Sequence, residues 1–146
     1  MMGANWYIRA LMEAAAKRLT GRHVEILYQT PYSQRLGRAV NGTAQKSGGR
    51  GIITLEPDRP LVEIYKTFLH EAAHLAADWD RFEDSGQPGG AIEETSYAVK
   101  QLHTSLEDRA ESQAHEWDAW ATSRQNTTVG EKLLELAACY PGEADV

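Results

Sequence analysis

His70-Glu71-Ala72-Ala73-His74 is an H-E-x-x-H, a set of residue types at a spacing that can build a metal site. On an α-helix, residues four apart stand one above the other on one face, so His70 and His74 can offer two imidazole nitrogens to one ion. Glu71 projects about 100° round the helix from His70, where its carboxylate can take a proton from a water held at that ion. Zinc is the cofactor this pattern implies, because it accepts imidazole and carboxylate ligands and its catalytic sites keep one position open.

The motif needs a helix beneath it. Pro60, with Asp58 just ahead, is a helix-start residue. From there Leu61, Ile64, Tyr65, Phe68, Ala72, Leu75 and Ala76 recur at helical spacing, which predicts an amphipathic helix with the motif well inside it. Immediately before, Gly51-Ile52-Ile53-Thr54-Leu55 reads as a short β-branched strand ended by Glu56-Pro57-Asp58. If that strand is a sheet edge, it can hold an extended peptide by strand addition.

A catalytic zinc takes three protein ligands, and several residues compete to be the third. Asp80 lies six residues past His74, as does the last ligand of H-E-x-x-H-x-x-G-x-x-H, but Ala77 stands where that pattern has its turning glycine. Glu94, in Gly90-Ala91-Ile92-Glu93-Glu94, has a spacing and lead-in similar to thermolysin-like enzymes, although Ala98 cannot supply their further carboxylate. The strongest candidate lies in Glu107-Asp108-Arg109-Ala110-Glu111-Ser112-Gln113-Ala114, where Glu107 and Glu111 share one helical face with Ala110 and Ala114 beside them. Small alanines let such a helix approach the motif helix and bring a carboxylate to the metal. A second carboxylate one turn along can accept the other ring N–H of a ligating histidine, which fixes its tautomer.

H-E-A-A-H followed by E-D-R-A-E-S-Q-A resembles the small gluzincin-type metallopeptidases of the ImmA/IrrE class, whose second motif reads approximately E-x-x-A-[N/D/E]-x-x-A. Phe68-Leu69 before His70 and the tail Trp117-Asp118-Ala119-Trp120-Ala121 add to the resemblance, which spans residues 51–121 and is specific in its first motif alone. It implies His70, His74 and Glu107 as zinc ligands, Glu71 as general base, and Glu111 as the partner behind a ligating histidine. The implied activity is zinc-dependent hydrolysis of peptide bonds in a protein or peptide substrate. A register with Glu111 as ligand and His115 behind it stays open, as does Glu94. Tyr97, His103 and His115 are available to stabilise an oxyanion. The gap from His74 to Glu107 is longer than is usual in so compact a family, and no helix-turn-helix precedes the motif. The competing expectation is a catalytically silent zinc-binding interaction protein acting on a regulatory partner. The intact Glu71 favours the enzyme.

The chain around these residues sets the class. A length of 146 residues fits one domain, and 42% hydrophobic with 25% charged residues is ordinary for a globular protein. A formal net charge of −6 argues against direct nucleic-acid binding. No apolar run approaches a membrane span, and Arg9, Glu13, Lys17 and Arg18 interrupt any secretory h-region. The single cysteine, Cys139, excludes an intramolecular disulfide and fits the cytoplasm; beside Ala137 and Ala138 it reads as a core residue.

The order of elements predicts an α+β domain, gluzincin-like by resemblance, with a small antiparallel sheet packed on the H-E-x-x-H helix and further helices C-terminal to it. Residues 5–19 read as a helix stopped by Gly21, and residues 23–29 as a strand with Val24, Ile26 and Tyr28 on one side. Residues 35–41 read as a second strand, 42–51 as a loop and 52–55 as a third strand. After the motif helix, residues 81–90 read as a flexible surface loop, and 91–103, 106–122 and 129–139 as helices, with Trp117 and Trp120 as core.

Overall fold

Helical periodicity and alternating strands resolve into four α-helices and two small sheets, an α+β architecture, in the computed structural model, which describes residues 5–33, 37–82 and 97–141, with backbone alone for 97–104. Helix α1 (Trp6–Thr20) opens on Asn5, whose Oδ1 accepts from the Ile8 N–H at 2.8 Å, and closes on Gly21 at φ 72°, a left-handed conformation that glycine adopts without cost. Strand β1 (Val24–Tyr28) follows, with Val24 and Ile26 buried on one side as the alternation predicts. A two-residue pair, β2 (Tyr32–Ser33) against β3 (Arg38–Ala39), forms a separate antiparallel sheet.

Three expectations about the sheet are corrected. The first concerns residues 42–51, which are not a loop but the hairpin of β4 (Gly42–Ser47) and β5 (Arg50–Leu55). Gly48 and Gly49, at φ 62° and 81°, make the two-residue turn whose positive φ angles match strand twist. The mostly polar side chains of β4 hide it from a reading based on hydrophobic alternation. Second, the sheet is mixed rather than antiparallel: its order is β1-β5-β4, and β1 pairs with β5 in parallel. Third, β5 is therefore the centre of the sheet and not its edge. That explains its nearly uninterrupted burial from Gly51 to Leu55, since a strand flanked on both sides and packed on a helix leaves little to solvent. The edge strand beside the motif helix is β4.

Helix α2 (Leu61–Ala77) packs on β4 and β5 with one flank and on α3 (Tyr97–Ser123) with another, while α1 lies along α4 (Val129–Cys139). Pro60 precedes α2 as expected, but Asp58 makes no cap; no side chain does. The buried face of α2 includes Ile64, Tyr65, Phe68, Ala72 and Leu75, as its periodicity predicts. The two helices expected at 91–103 and 106–122 are, from Tyr97 onward, one continuous helix. Thr104 and Ser105 cost a helix only a few tenths of a kcal/mol each, and neither glycine nor proline interrupts the run. The predicted start at 91, and the loop at 81–90 from residue 83 onward, lie outside the described residues.

On α3 the stripe Leu106, Ala110, Ala114, Trp117 and Ala121 is buried, and Trp120 is partly so, its ring edge-on to Tyr140 at 5.1 Å. Tyr65 of α2 donates to Asp118 Oδ1 at 2.8 Å and Lys132 of α4 donates to the same oxygen at 3.0 Å, so one carboxylate ties three helices. Burial of the Tyr65 ring pushes its phenol up, and the bond to Asp118 adds to this. Helix α4 opens with a capping box between Thr128 and Glu131. Cys139 is exposed, contrary to expectation, because it lies about 90° round the helix from the stripe of Val129, Leu133, Leu136 and Tyr140. Among the described residues, no helix is long and apolar enough to cross a membrane.

Gly42 fixes how closely β4 approaches α2. A Cβ there would overlap Thr67 Cγ2 and meet Glu71 Cγ at 3.4 Å. A helical threonine has few rotamers with which to retreat. Gly42→Ala is expected to lower stability by about 1–3 kcal/mol, read as a lower urea midpoint with unchanged slope; an unchanged midpoint would contradict this close approach.

Candidate metal centre

The site is built where α2 and α3 cross. The one-turn spacing of His70 and His74 puts both rings on the side of α2 that faces Glu107 of α3, with ring centroids 4.9 Å apart. Glu107 bridges them: its Oε2 lies 2.8 Å from His70 Nε2 and its Oε1 lies 2.9 Å from His74 Nε2. Ala110 and Ala114, both buried, line the same flank of α3, as a close helix–helix approach requires. One ligand atom each from His70, His74 and Glu107 lie within 4.8 Å of one another, the only such His/Cys/Asp/Glu group among the described residues. Two imidazoles and one carboxylate are the donor set of an open catalytic zinc site, so the residues fit that ion.

Each imidazole is held from behind as well. His70 Nδ1 lies 2.8 Å from Glu111 Oε2, the contact that a partner behind that ring would make. His74 Nδ1 lies 3.2 Å from Asp78 Oδ2, and Asp78 Oδ1 accepts from Arg109 Nη2 at 2.8 Å. Neither Asp78 nor Arg109 was identified from the sequence. The available signal was spacing: Asp78 continues the His70, His74 face by one more turn.

The remaining candidates divide. Glu71 is in place beside the two histidines, with Gly42 at its back, and its charge acts on His70, His74 and Glu107. His115 Nε2 lies 3.0 Å from Glu111 Oε1, on the carboxylate whose other oxygen meets His70 Nδ1. Asp80 falls in the 3₁₀ turn Trp79–Arg81 after α2 and takes no part in the ligand group. Glu94 and the side chains of Tyr97 and His103 lie outside the described residues.

The electrostatics follow from four carboxylates, Glu71, Asp78, Glu107 and Glu111, around two rings. Burial opposes a charge on His70, but the Glu107 hydrogen bond, the charges of Glu71 and Glu107 and the Glu111 hydrogen bond outweigh it and raise its pKa to about 9. His74 is raised in the same way, against burial, by Glu107, Glu71 and Asp78. Burial pushes Glu107 up, yet its bonds to both histidines hold it well below the usual carboxylate range. Glu71 goes the other way: burial raises its carboxyl, and the nearby histidines only partly offset this.

No protein-family model, curated protein or solved structure matches the chain.

Two predictions follow from this geometry. Zinc content should be about one ion per chain in the wild type. Glu107→Ala should lose it, whereas Glu111→Ala should keep the site with affinity weakened about 10- to 100-fold. Full zinc retention in Glu107→Ala would move the third ligand elsewhere. The second prediction concerns protein stripped of metal by a chelator. His70, raised from 6.5 to about 9, contributes stability fully below pH 6.5 and loses it as pH rises through about 9. Glu107, lowered from 4.5, contributes above pH 4.5 and loses this as pH falls well below that value. The urea midpoint of the stripped protein should therefore fall between about pH 6.5 and 9.5, and that fall should be smaller in His70→Ala, where only His74 is left to contribute to it; an equal fall in both would contradict the assignment.

Proposed function

We propose that this chain is a zinc-dependent metallopeptidase, a minimal gluzincin of the ImmA/IrrE kind, that hydrolyses peptide bonds in a protein substrate. The observation that supports this reading is the convergence of His70 and His74 of α2 with Glu107 of α3, with Glu71 of the same H-E-x-x-H beside them. His70, His74 and Glu107 would hold the ion. Zinc bound there supplies a Lewis acid that polarises the scissile carbonyl and brings the pKa of a water toward neutrality.

The chain's own residues supply the rest. Glu71 takes the proton from the attacking water and returns it to the leaving amine. Its carboxyl is pushed up by burial, which suits a group that must both accept and release a proton near neutral pH. Glu111 keeps the Nδ1 proton of His70 in place, leaving its Nε2 for the ion. Strand β4, the sheet edge beside α2, offers backbone groups on which an extended peptide can add as a further strand, and Gly42 brings that edge against Glu71.

Glu71→Gln is expected to lower turnover of a cleaved peptide by at least about 10²-fold, with zinc content unchanged. Cleavage of a peptide library by the zinc-loaded protein, read by mass spectrometry, supplies the substrate for that assay. Undiminished turnover in Glu71→Gln would overturn its role. A zinc-loaded wild type that cleaves nothing in the library would favour the catalytically silent zinc-binding reading.

A further inference from the structure

Asp78 is a buried carboxylate outside the H-E-x-x-H and outside the ligand group. It is 2% exposed, and both of its oxygens are engaged: Oδ2 with His74 Nδ1 at 3.2 Å and Oδ1 with Arg109 Nη2 at 2.8 Å. Its backbone is fixed too, because its N–H caps α2 by donating to the His74 carbonyl at 2.8 Å while its own carbonyl accepts from the Arg81 N–H at 2.8 Å. Asp78 therefore holds His74 at two points, the peptide carbonyl and the ring.

A buried carboxylate is costly unless it is paired and hydrogen-bonded. Arg109 meets that requirement from α3, two residues past Glu107, with its own side chain 56% exposed. The connection His74–Asp78–Arg109 thus joins the second histidine to the helix that carries the carboxylate facing it.

We infer that Asp78 is a positioning residue for the metal centre: it orients the His74 ring and keeps the proton on Nδ1, and Arg109 anchors it to the helix carrying Glu107. This rests on the zinc reading above and adds to it a residue that controls affinity without touching the ion. A bare staple between helices is the alternative, and the two differ in what they protect. A staple protects the fold, and its two ends matter equally. A positioning residue protects zinc affinity, and Asp78 matters more than Arg109.

The test is the zinc dissociation constant, by competition with a chromophoric chelator, alongside the urea midpoint of the metal-stripped protein. The proteins are wild type, Asp78→Ala, Asp78→Asn, Arg109→Ala and His74→Ala. Asp78→Ala is expected to weaken zinc binding about 10- to 100-fold. Asp78→Asn, whose side-chain oxygen still accepts from Nδ1, should lie closer to wild type. Arg109→Ala should weaken zinc less than Asp78→Ala while lowering the urea midpoint. Zinc affinity of Asp78→Ala within about twofold of wild type would overturn the inference, as would an equal loss in Arg109→Ala. If Asp78→Ala does not fold, Asp78→Ser, whose shorter side chain withdraws the acceptor from Nδ1, takes its place: zinc binding weakened more than in Arg109→Ala supports positioning, and an equal or smaller loss overturns it. The zinc reading fails separately, if the wild type binds no zinc or His74→Ala binds it as well as wild type.

Discussion

Everything in this molecule turns on one bridge: the Glu107 carboxylate spans the Nε2 atoms of His70 and His74 at 2.8 and 2.9 Å. The side chain of glutamate is short, so α3 has to lie close against α2 over the turns that carry these residues. The alanines at 110 and 114 permit that approach, and Leu106, Trp117 and Ala121 continue the same buried stripe along α3. At the far end Tyr65, Asp118 and Lys132 tie α2, α3 and α4 through one carboxylate. On its other flank α2 is held by β4 and β5, and Gly42 and Gly51 let those strands come close enough to touch Thr67, Glu71 and Leu75.

The same bridge sets the chemistry of the site. Two imidazoles and a carboxylate satisfy one another through shared protons when no ion is present, which raises the histidines and lowers Glu107. A divalent cation held there would compete for the same Nε2 atoms, so its binding would release protons and strengthen as pH rises. The carboxylates behind the rings do not compete. Glu111 and Asp78 engage Nδ1 and leave Nε2 facing Glu107, so each ring points one way whether a proton or an ion is bound.

How much of this was readable in the residues depended on whether the signal was local. H-E-x-x-H carries its own geometry, because a helix places His70 and His74 together whatever surrounds it. Glu107 and Glu111 could be paired for the same reason, with alanines marking the approach face. Helix α4 was readable to its ends, since Thr128 caps it and its leucines recur at helical spacing. The rest needed long-range information. Strand β4 is mostly polar, and only its Gly48-Gly49 turn announces it. The parallel pairing of β1 with β5, and hence the central place of β5, is a choice of topology that no local pattern encodes. Asp78 is not marked by ligand spacing, because a residue that supports a ligating histidine sits nearer to it, one turn on, than a residue that ligates.

The most direct measurement is an anomalous difference map at the zinc edge from crystals of the zinc-loaded protein. A single strong peak within about 2.0–2.2 Å of His70 Nε2, His74 Nε2 and one Glu107 carboxylate oxygen is the result this account predicts. A peak elsewhere, at Glu111 and His115 for instance, or no peak between α2 and α3, would contradict it.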